Sequence, residues 1–388
     1  MQIFVAREIS PREKRVAVVP ATVAKLVKSG AEVGIEAGLG RTIYFSDNDY
    51  VAAGAAVVTD RSAGLTAADL VLRLGKPDSV EIARLKSGCI HISYLDPFNE
   101  PDLIRQLAKA GVSALCMEMI PRSTICQRMD ALSSQANIAG YVAVMLGATR
   151  LSRIFPMMST PSGTIPPARI FIIGAGVAGL QAIATARRLG AVVEAFDTRP
   201  AVEEQVKSLG AKFVKVDLGE TGQTAQGYAK ELTAEQLEKQ REVMAAHCAQ
   251  ADLVITTAQV FGRKAPRILT TAMVQKMKPG SVVVDMAIES GGNVECSRLD
   301  EEIVVNDVKV LGFGNLAGHN ARTASEMYSN NLGYLVEHFW DKTGKSFKLD
   351  PANDILKECL VTHGGVICHE RLRNFLESST SSPPAKTP

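Results

Sequence analysis

The chain has 388 residues, of which 22% are charged, and its formal net charge of +2 excludes the strongly basic surface of a nucleic-acid-binding protein. Its length predicts one or two domains, each large enough to bury its own core. No apolar run reaches the ~18 residues of a membrane-spanning helix, and residues 1–10 lack the pattern of a signal peptide. We therefore expect a soluble protein that binds no nucleic acid and stays in the compartment where it is made.

The seven cysteines and six histidines show none of the spacings that are typical of zinc sites or of paired redox cysteines. Reduced, buried thiols are the ordinary state of such cysteines in the cytosol. The sequence therefore predicts no metal site.

The N-terminal third of the chain alternates short apolar strands with helices. Strands are predicted at 3–9, 32–36, 69–74, 89–95 and 112–117, and helices at 21–28, 80–85 and 101–110. Gly30 and Gly111 follow two of these helices, where a helix C-cap favours glycine. This order is typical of an α/β domain. The domain has no glycine fingerprint, so we do not expect its sheet to bind phosphate.

Two features link this domain to the next. Residues 130–150 read as one long, nearly all-apolar helix, which we expect to be buried and to bridge two domains. Residues 155–167 contain two short runs about Ser162-Gly163, which predict a projecting hairpin and a candidate contact between subunits.

A glycine-rich turn then follows a fully apolar run at 170–173, which is typical of a strand buried in a parallel sheet. Gly174 permits a tight strand-to-helix turn, Gly176 lets the backbone approach a pyrophosphate, and Gly179 lets the helix pack closely on the strand. The N-terminus of that helix offers N–H groups and a positive dipole end to phosphates. Because strand, glycines, helix and a second strand occur in the required order, we predict that this half of the chain binds a dinucleotide.

Asp197 ends the second strand of this unit, where a carboxylate can accept both ribose hydroxyls and would repel a 2′-phosphate. The sequence therefore predicts NAD(H) rather than NADP(H). Arg199 argues in the opposite direction, because a nearby arginine can bind a 2′-phosphate.

The remaining segments continue the doubly wound pattern. Helices are predicted at 203–209 and 271–277, and strands at 211–216, 252–258, 281–287 and 309–313, which complete six strands. The polar insertion at 217–241 ends in a short charged helix and carries Tyr228 as its one aromatic residue; it is either a mobile lid or a plain surface excursion. From Ala321 onward the chain is helical, with an apolar face made by Met327, Leu332, Leu335, Val336 and Phe339.

We therefore predict an α/β protein with two Rossmann-like, doubly wound parallel-sheet domains joined by long helices. The first domain is discontinuous and comprises 1–132 and 321–377. The second comprises 133–320 and includes a mobile loop at 217–241. Residues 378–388 are rich in serine and proline and should form a disordered tail.

The loop between residues 122 and 135 carries a further candidate site. It follows the predicted strand 112–117, at the edge of the sheet where α/β proteins bind ligands. The carboxamide of Gln127 offers the donor and the acceptor that a nicotinamide carboxamide needs. Arg122 and Asp130 could pair to hold the loop rigid. The alternative is that Asp130 only caps the following helix.

Five segments of the sequence are together specific for one family. They read QRMDALSSQANIAGYVAV, PPARIFIIGAGVAGLQAIATARRLGA, EQVKSLGAKF, GYAKE and KMKPGSVVVDMAIESGGN. Through them the chain resembles, over essentially its whole length, the NAD(H)-binding alpha-1 subunit (domain I) of the bacterial proton-translocating NAD(P) transhydrogenases, within the alanine dehydrogenase/transhydrogenase superfamily.

The resemblance implies a homodimer that docks on a membrane-embedded subunit and on a separate NADP(H)-binding component. It implies a cytoplasmic location, at the inner face of the cytoplasmic membrane through those partners. It also implies a Re/Si-specific transhydrogenase in which NADH on this chain transfers a hydride directly to NADP⁺ on the partner, coupled to proton movement elsewhere. A hydride transfer of this kind requires no general acid or base from this chain, only orientation.

The resemblance also assigns site residues. It places the nicotinamide end of the cofactor against Arg122, Gln127 and Asp130, with Ser133 close by. Arg122, Gln127 and Asp130 are expected to be the catalytic residues, which orient the nicotinamide ring. The cofactor-binding residues of the other domain are Gly174, Gly176, Val177, Gly179, Asp197, Thr198, Arg199, Ala258 and Gln259, together with Gly227 and Tyr228 of the mobile loop. Two departures are present: Gln259 replaces an apolar nucleotide contact in the stretch 256–266, and Leu232 stands where a methionine is common.

Alanine dehydrogenase shares this architecture and is the main alternative. That family uses an arginine, a lysine and a histidine of the N-terminal domain to bind and oxidise the amino acid. Arg15 matches the arginine, but Gly75 aligns with the lysine, with Lys76 one residue away, and Asp96 occupies the histidine position. Two of the three groups are therefore missing. A non-catalytic NAD(H)-sensing module is a third interpretation.

Overall fold

The computed structural model describes residues 1–216 and 233–380. Within these residues the strands are β1 Gln2–Val5, β2 Glu32–Glu36, β3 Ala56–Val58, β4 Leu70–Leu72, β5 Ile90–Ser93, β6 Ser113–Cys116, β7 Met158–Thr160, β8 Gly163–Ile165, β9 Arg169–Ile173, β10 Val192–Phe196, β11 Lys212–Phe213, β12 Leu253–Thr256, β13 Val282–Asp285, β14 Glu302–Val305, β15 Val308–Leu311, β16 Trp340–Asp341, β17 Ser346–Phe347, β18 Leu360–His363 and β19 Val366–Ile367.

The α-helices of the same residues are α1 Pro20–Lys28, α2 Asp47–Ala52, α3 Arg61–Ala67, α4 Ser79–Ile82, α5 Pro101–Lys109, α6 Ala131–Arg150, α7 Val177–Arg188, α8 Glu203–Ser208, α9 Ala234–Gln250, α10 Thr271–Gln275, α11 Ala321–His338, α12 Asp354–Cys359 and α13 Glu370–Thr380.

The chain divides into two compact units. The first comprises Met1–Gln135 with the described residues from Asn320 onward, and the second comprises the described residues of Ala136–His319. The chain leaves the first unit within α6 and returns to it just before α11. The sequence analysis places these borders after residues 132 and 320.

The first unit is built on an eight-stranded sheet in the order β3-β2-β1-β4-β5-β6-β18-β19. The six strands from β3 to β6 are parallel, and β18 and β19 add an antiparallel edge. The strands β4, β5 and β6 are buried along their whole length, as expected for a sheet covered on both faces. Helix α11 packs Leu332, Leu335 and Val336 into this core, whereas Met327 of its predicted apolar face is 44% exposed.

The second unit contains a seven-stranded sheet in the order β11-β10-β9-β12-β13-β15-β14. Six parallel strands reproduce the order 3-2-1-4-5-6 of a dinucleotide-binding fold, and antiparallel β14 extends the edge. The first unit has the same order from β3 to β6. The predicted fold class, α/β with two doubly wound parallel sheets, is therefore confirmed.

The predicted hairpin at 155–167 is confirmed. Strands β7 and β8 pair antiparallel with Met158 opposite Ile165 and Thr160 opposite Gly163, which leaves a two-residue turn. All six residues of the two strands are exposed.

The charged helix expected at the end of 217–241 is present, because α9 begins at Ala234, where Thr233 and Gln236 form a capping box. Residues 217–232 lie outside the described residues, so the mobile loop stays a prediction.

Three predictions about segments were wrong. The stretch from Ala321 onward is not helical throughout, because α11 ends at His338 and the strands β16 to β19 follow. The predicted tail at 378–388 begins too early, because α13 continues to Thr380. Helix α6 is not buried all round, since Tyr141 is 42% exposed.

Within residues 1–216 and 233–380, no helix combines the length and the apolar character that crossing a bilayer requires. In the same residues, no three His, Cys, Asp or Glu side chains are grouped as a metal site requires.

Candidate functional site

The site in the second unit begins where β9 ends. Gly174 follows Ile173 with a φ of +99°, a left-handed conformation that glycine adopts readily, and Gly176 is the N-cap of α7, which begins at Val177. The sheet order changes direction between β9 and β12, so the turn lies at the topological switch point. In open α/β sheets this crevice is where ligands bind.

The three glycines of the turn serve two different purposes. A Cβ on Gly179 would overlap the carbonyl oxygen of Gly174, and a Cβ on Gly174 would overlap the hydroxyl of Thr257. The packing of the protein itself therefore requires glycine at these two positions. A Cβ on Gly176 would meet only the Nη2 of Arg199, at 3.9 Å. The space above Gly176 is thus open at a helix N-terminus, which fits a pyrophosphate group.

Thr257 joins this turn to the strand on the other side of the switch point. Its N–H donates to the carbonyl oxygen of Ile173 at 2.8 Å, and its hydroxyl donates to that of Gly174 at 3.1 Å. Thr257 is not among the residues predicted from the sequence. Its position directly after β12 is the signal that could have identified it.

Asp197 and Arg199 form one unit in the structure. The Nε of Arg199 donates to Oδ1 of Asp197 at 2.9 Å and its Nη2 donates to Oδ2 at 2.8 Å. The backbone N–H of Arg199 and that of Ala175 also donate to this carboxylate, at 2.9 and 2.8 Å. The four bonds match the four acceptor positions of a carboxylate. The hydrogen bonding of its guanidinium to the Asp197 carboxylate raises the pKa of Arg199.

The two predicted residues Asp197 and Arg199 therefore neutralise each other, with Thr198 between them in the chain. The same carboxylate also binds the glycine turn through Ala175. Val177 opens α7 beside this turn. The structure thus brings the predicted residues of this region together. It also pairs Asp197 with Arg199, although from the sequence the first favoured NAD(H) and the second favoured NADP(H).

Ala258 and Gln259 follow β12, and a buried asparagine holds Ala258. The side-chain oxygen of Asn293 accepts the N–H of Ala258 at 3.0 Å, and its Nδ2 donates to the carbonyl oxygens of Ala258 at 2.8 Å and Pro266 at 2.9 Å. Asn293 thus fixes both ends of the loop between β12 and α10. Gln259, the departure from the family pattern, donates through Nε2 to the carbonyl oxygen of Met286 at 3.0 Å.

Asn293 is itself fixed by Asp285, the last residue of β13. Oδ1 of Asp285 accepts the N–H of Asn293 at 3.1 Å, and its Oδ2 accepts that of Val294 at 3.1 Å. Both side chains are fully buried. Neither residue was predicted from the sequence, although an aspartate at the end of an apolar strand is an identifiable signal.

The second group of predicted residues lies in the first unit, on the loop before α6. Asp130 caps that helix: its Oδ1 accepts the N–H of Ser133 at 2.9 Å and its Oδ2 accepts the Ser133 hydroxyl at 2.6 Å. Arg122 and Asp130 approach to 4.0 Å between Nε and Oδ2, beyond hydrogen-bonding distance. The Gln127 side chain is exposed. The capping role that the sequence left as an alternative for Asp130 is therefore present.

Gly227 and Tyr228, the predicted cofactor contacts of the mobile loop, lie outside the described residues. The roles of Arg122, Gln127, Asp130 and Ser133 towards a nicotinamide remain predictions.

The residues that match alanine dehydrogenase are also in the first unit. Arg15 forms a bidentate ion pair with Glu13, through Nε at 2.8 Å and Nη2 at 2.7 Å, and its Nη1 donates to Gln135 at 2.8 Å. Lys76 lies 2.7 Å from a carboxylate oxygen of Glu100 and 3.5 Å from one of Asp96. Arg15 and Lys76 thus already form ion pairs with carboxylates of this chain.

Comparison with known proteins agrees with these features. Two family models match the chain, the alanine dehydrogenase/PNT N-terminal domain over residues 4–139 and the alanine dehydrogenase/PNT C-terminal domain over residues 143–370. A protein of Rhodospirillum rubrum, named as the first part of the NAD(P) transhydrogenase alpha subunit, is 42% identical, over 96% of this chain and 99% of that protein.

A crystal structure of transhydrogenase from Sinorhizobium meliloti is 43% identical to the chain, with a TM-score of 0.86, over 95% of this chain and 100% of that one. The alanine dehydrogenase of Mycolicibacterium smegmatis is 30% identical, over 97% of each protein.

The open space at Gly176 yields a first prediction. Gly176→Ala should leave folding unchanged, because its φ of −77° suits alanine and the new methyl group meets no backbone atom. It should weaken NADH binding by about tenfold or more, which corresponds to ~1.4 kcal/mol, since the methyl group occupies the space that the pyrophosphate needs.

Gly179→Ala is the matched control, because its methyl group would overlap the Gly174 carbonyl and should lower the melting temperature. Thermal unfolding and NADH fluorescence titrations measure both effects. Unchanged NADH affinity in a folded Gly176→Ala variant would contradict the assignment.

Proposed function

The chain belongs to the alanine dehydrogenase/PNT family, and from this premise we propose that it is the NAD(H)-binding subunit of a proton-translocating NAD(P) transhydrogenase. The observation that carries the proposal is the open space at Gly176, which lies at a helix N-terminus beside the carboxylate of Asp197. Relatives named as transhydrogenase alpha subunits support it over nearly the whole chain.

The charges around Asp197 support NAD(H) over NADP(H). Asp197 is an anion at the point where the second strand ends, as is usual for a carboxylate that accepts the ribose hydroxyls. Arg199, the nearby cation that could serve a 2′-phosphate, is already paired with that carboxylate. A 2′-phosphate would have to compete with Asp197 for Arg199 and would meet the carboxylate itself. A ribose hydroxyl needs only to take the place of one Arg199 N–H group as a hydrogen-bond donor to the Asp197 carboxylate.

The chemical contribution of this chain is orientation. NADH, when bound, supplies the hydride that passes directly to NADP⁺ on a partner component. Gln127 is suited to hold the nicotinamide carboxamide, because its own carboxamide has a donor and an acceptor. Arg122 and Asp130 flank it, and Asp130 is fixed by its two bonds to Ser133. Correct placement of reacting groups can contribute ~7–11 kcal/mol to lowering a barrier.

The proposal includes partner chains. The relatives of Rhodospirillum rubrum and Rickettsia prowazekii are each named as one part of an alpha subunit, which implies assembly with other chains. We therefore expect a separate NADP(H)-binding component and a membrane-embedded subunit that moves the protons. Docking on that membrane-embedded subunit would place this chain at the cytoplasmic face of the membrane. The hairpin β7-β8 supports a homodimer, because Met158 and Ile165 in this two-stranded sheet and the adjoining Met157 are 44, 43 and 66% exposed.

Amino-acid oxidation is less well supported. That reaction requires a base and a cation for the substrate carboxylate. Asp96 stands where alanine dehydrogenases have a histidine. Lys76, which is one residue from the position of their lysine, is paired with Asp96 and Glu100. The ion pair with Glu13 compensates the charge of Arg15. A negatively charged group at the histidine position disfavours binding of a second carboxylate there.

The experiment that tests the proposal mixes the purified chain with an NADP(H)-binding component. Reduction of the 3-acetylpyridine analogue of NAD⁺ by NADPH is followed by absorbance, and each protein by itself is the control. A rate that requires both proteins is expected. In a parallel cuvette the chain receives NAD⁺ and L-alanine, and no NADH should form. Alanine-dependent NADH formation would contradict the proposal, and binding of NADH with neither activity would favour a sensing module.

Gln127→Asn provides a second prediction. It retains the carboxamide but withdraws it by one methylene group, so it should slow transhydrogenation at saturating NADH about tenfold or more. NADH affinity should fall much less, because most contacts of the dinucleotide would be intact. Gln106→Asn, an equally conservative change on the exposed side of α5, should change neither quantity. Equal losses of rate and affinity in Gln127→Asn would refute an orienting role.

A further inference from the structure

The loop that carries Gln127 is attached to α11 by one buried side chain. Asn331 is 6% exposed, and its Nδ2 donates to the carbonyl oxygen of Arg128 at 2.8 Å. Its Oδ1 accepts the hydroxyl of Ser134 at 2.7 Å. A single amide therefore joins the short 3-10 turn Gln127–Met129 to the first turn of α6.

An asparagine is well suited to this position because it has a donor and an acceptor on one short, rigid group. The residue that it binds, Arg128, is the immediate neighbour of Gln127. Removal of the amide would leave the Arg128 carbonyl without this buried donor, and an unsatisfied buried group destabilises the fold. The direction of the backbone beside Gln127 therefore depends on Asn331.

Tyr334 reinforces the same contact from the next turn of α11. The guanidinium carbon of Arg128 lies 3.5 Å from the centre of the Tyr334 ring, a close cation–π contact. Residues three apart on a helix share a face, so Asn331 and Tyr334 meet the loop together. Asn331 binds the backbone of Arg128, and Tyr334 binds its side chain.

The rest of the loop is anchored by apolar burial. The side chains of Cys126 and Met129, on either side of Gln127, are 0 and 3% exposed and belong to the core of the first unit. Gln127 itself is exposed. Burial fixes the position of the turn, and the hydrogen bonds of Asn331 add a directional restraint beside the exposed residue.

We propose that Asn331 is a positioning residue for hydride transfer, which acts by holding the Arg128 backbone so that Gln127 is presented in one orientation. This inference rests on the proposed function, because it assigns Asn331 to the loop that orients the nicotinamide. Asn331 is buried, which favours an indirect role over contact with a cofactor. It acts through Gln127.

The test compares Asn331→Ala with Ser329→Ala in the full chain mixed with an NADP(H)-binding component. Ser329 lies on the same helix and is fully buried, but its hydroxyl accepts the N–H of Val19 at 2.9 Å and donates to Thr22 at 2.7 Å, away from the loop. Asn331→Ala should lower the rate at saturating NADH by about 10- to 100-fold, the range expected for a misplaced orienting group. Ser329→Ala should lower the melting temperature and leave that rate unchanged.

Two conservative variants separate the bonds of Asn331. Ser134→Ala removes the bond between Asn331 and α6, together with local contacts of the Ser134 hydroxyl to Ala131 and Gln135, but leaves the bond from Asn331 to Arg128. It should keep most of the rate. Asn331→Asp keeps an acceptor for Ser134 but replaces the donor to Arg128 with an anion, so it should lose about as much rate as Asn331→Ala. If Asn331→Ala fails to fold, Asn331→Asp carries the test. Loss of rate in Ser329→Ala equal to that in Asn331→Ala would overturn the proposal.

Hydrogen exchange on the isolated chain supplies a readout that needs no partner. Asn331→Ala should accelerate exchange within residues 122–130, including the N–H of Met129, which is bonded to the carbonyl of Cys126 at 2.8 Å. Ser329→Ala should not. If the wild-type mixture has no transhydrogenase activity, the proposed function fails, whereas unchanged exchange in Asn331→Ala overturns the role of Asn331 specifically.

Discussion

The close packing of Gly179 against the carbonyl of Gly174 is the constraint on which the second unit depends. No side chain can occupy either position, because a Cβ would overlap that carbonyl in one case and the hydroxyl of Thr257 in the other. The end of β9, the start of α7 and the residue after β12 are therefore held together at the switch point of the sheet. Asp197 completes this arrangement through the N–H of Ala175. What remains open is the space above Gly176, where a phosphate group can meet a helix N-terminus.

In each unit, a buried asparagine holds the loop that carries predicted site residues. Asn293 binds the backbone of Ala258 and Pro266, and Asn331 binds the backbone of Arg128. A buried amide costs free energy unless it is fully hydrogen-bonded, so such a residue specifies one loop conformation. Neither asparagine is adjacent in sequence to the loop that it holds. The loops therefore derive their geometry from distant segments of the chain, and their exposed side chains can be presented reproducibly.

The sequence predicted the sheets well, because buried parallel strands form apolar runs and glycines mark the turns between strands and helices. It missed β3 and β14, whose residues are all exposed or half-buried, and it missed β16 to β19, which lie in the stretch predicted to be helical. It also missed α2, which begins with the capping box of Ser46 and Asp49. Among site residues, local patterns identified the glycine turn and Asp197. They could not reveal that Arg199 pairs with the carboxylate of Asp197, or that Asn293 and Asn331 reach across the fold. These contacts depend on tertiary structure, which spacing along the chain does not encode.

We propose above all that the chain binds NAD(H) at the glycine turn and rejects NADP(H) through Asp197. It is tested most directly by titrating the purified chain with NADH, following the nucleotide fluorescence, and repeating the titration in the presence of NADPH. The account predicts saturable NADH binding that NADPH displaces only at concentrations at least about tenfold higher, a difference of ~1.4 kcal/mol or more. Displacement by NADPH at concentrations equal to or below those of NADH would contradict it.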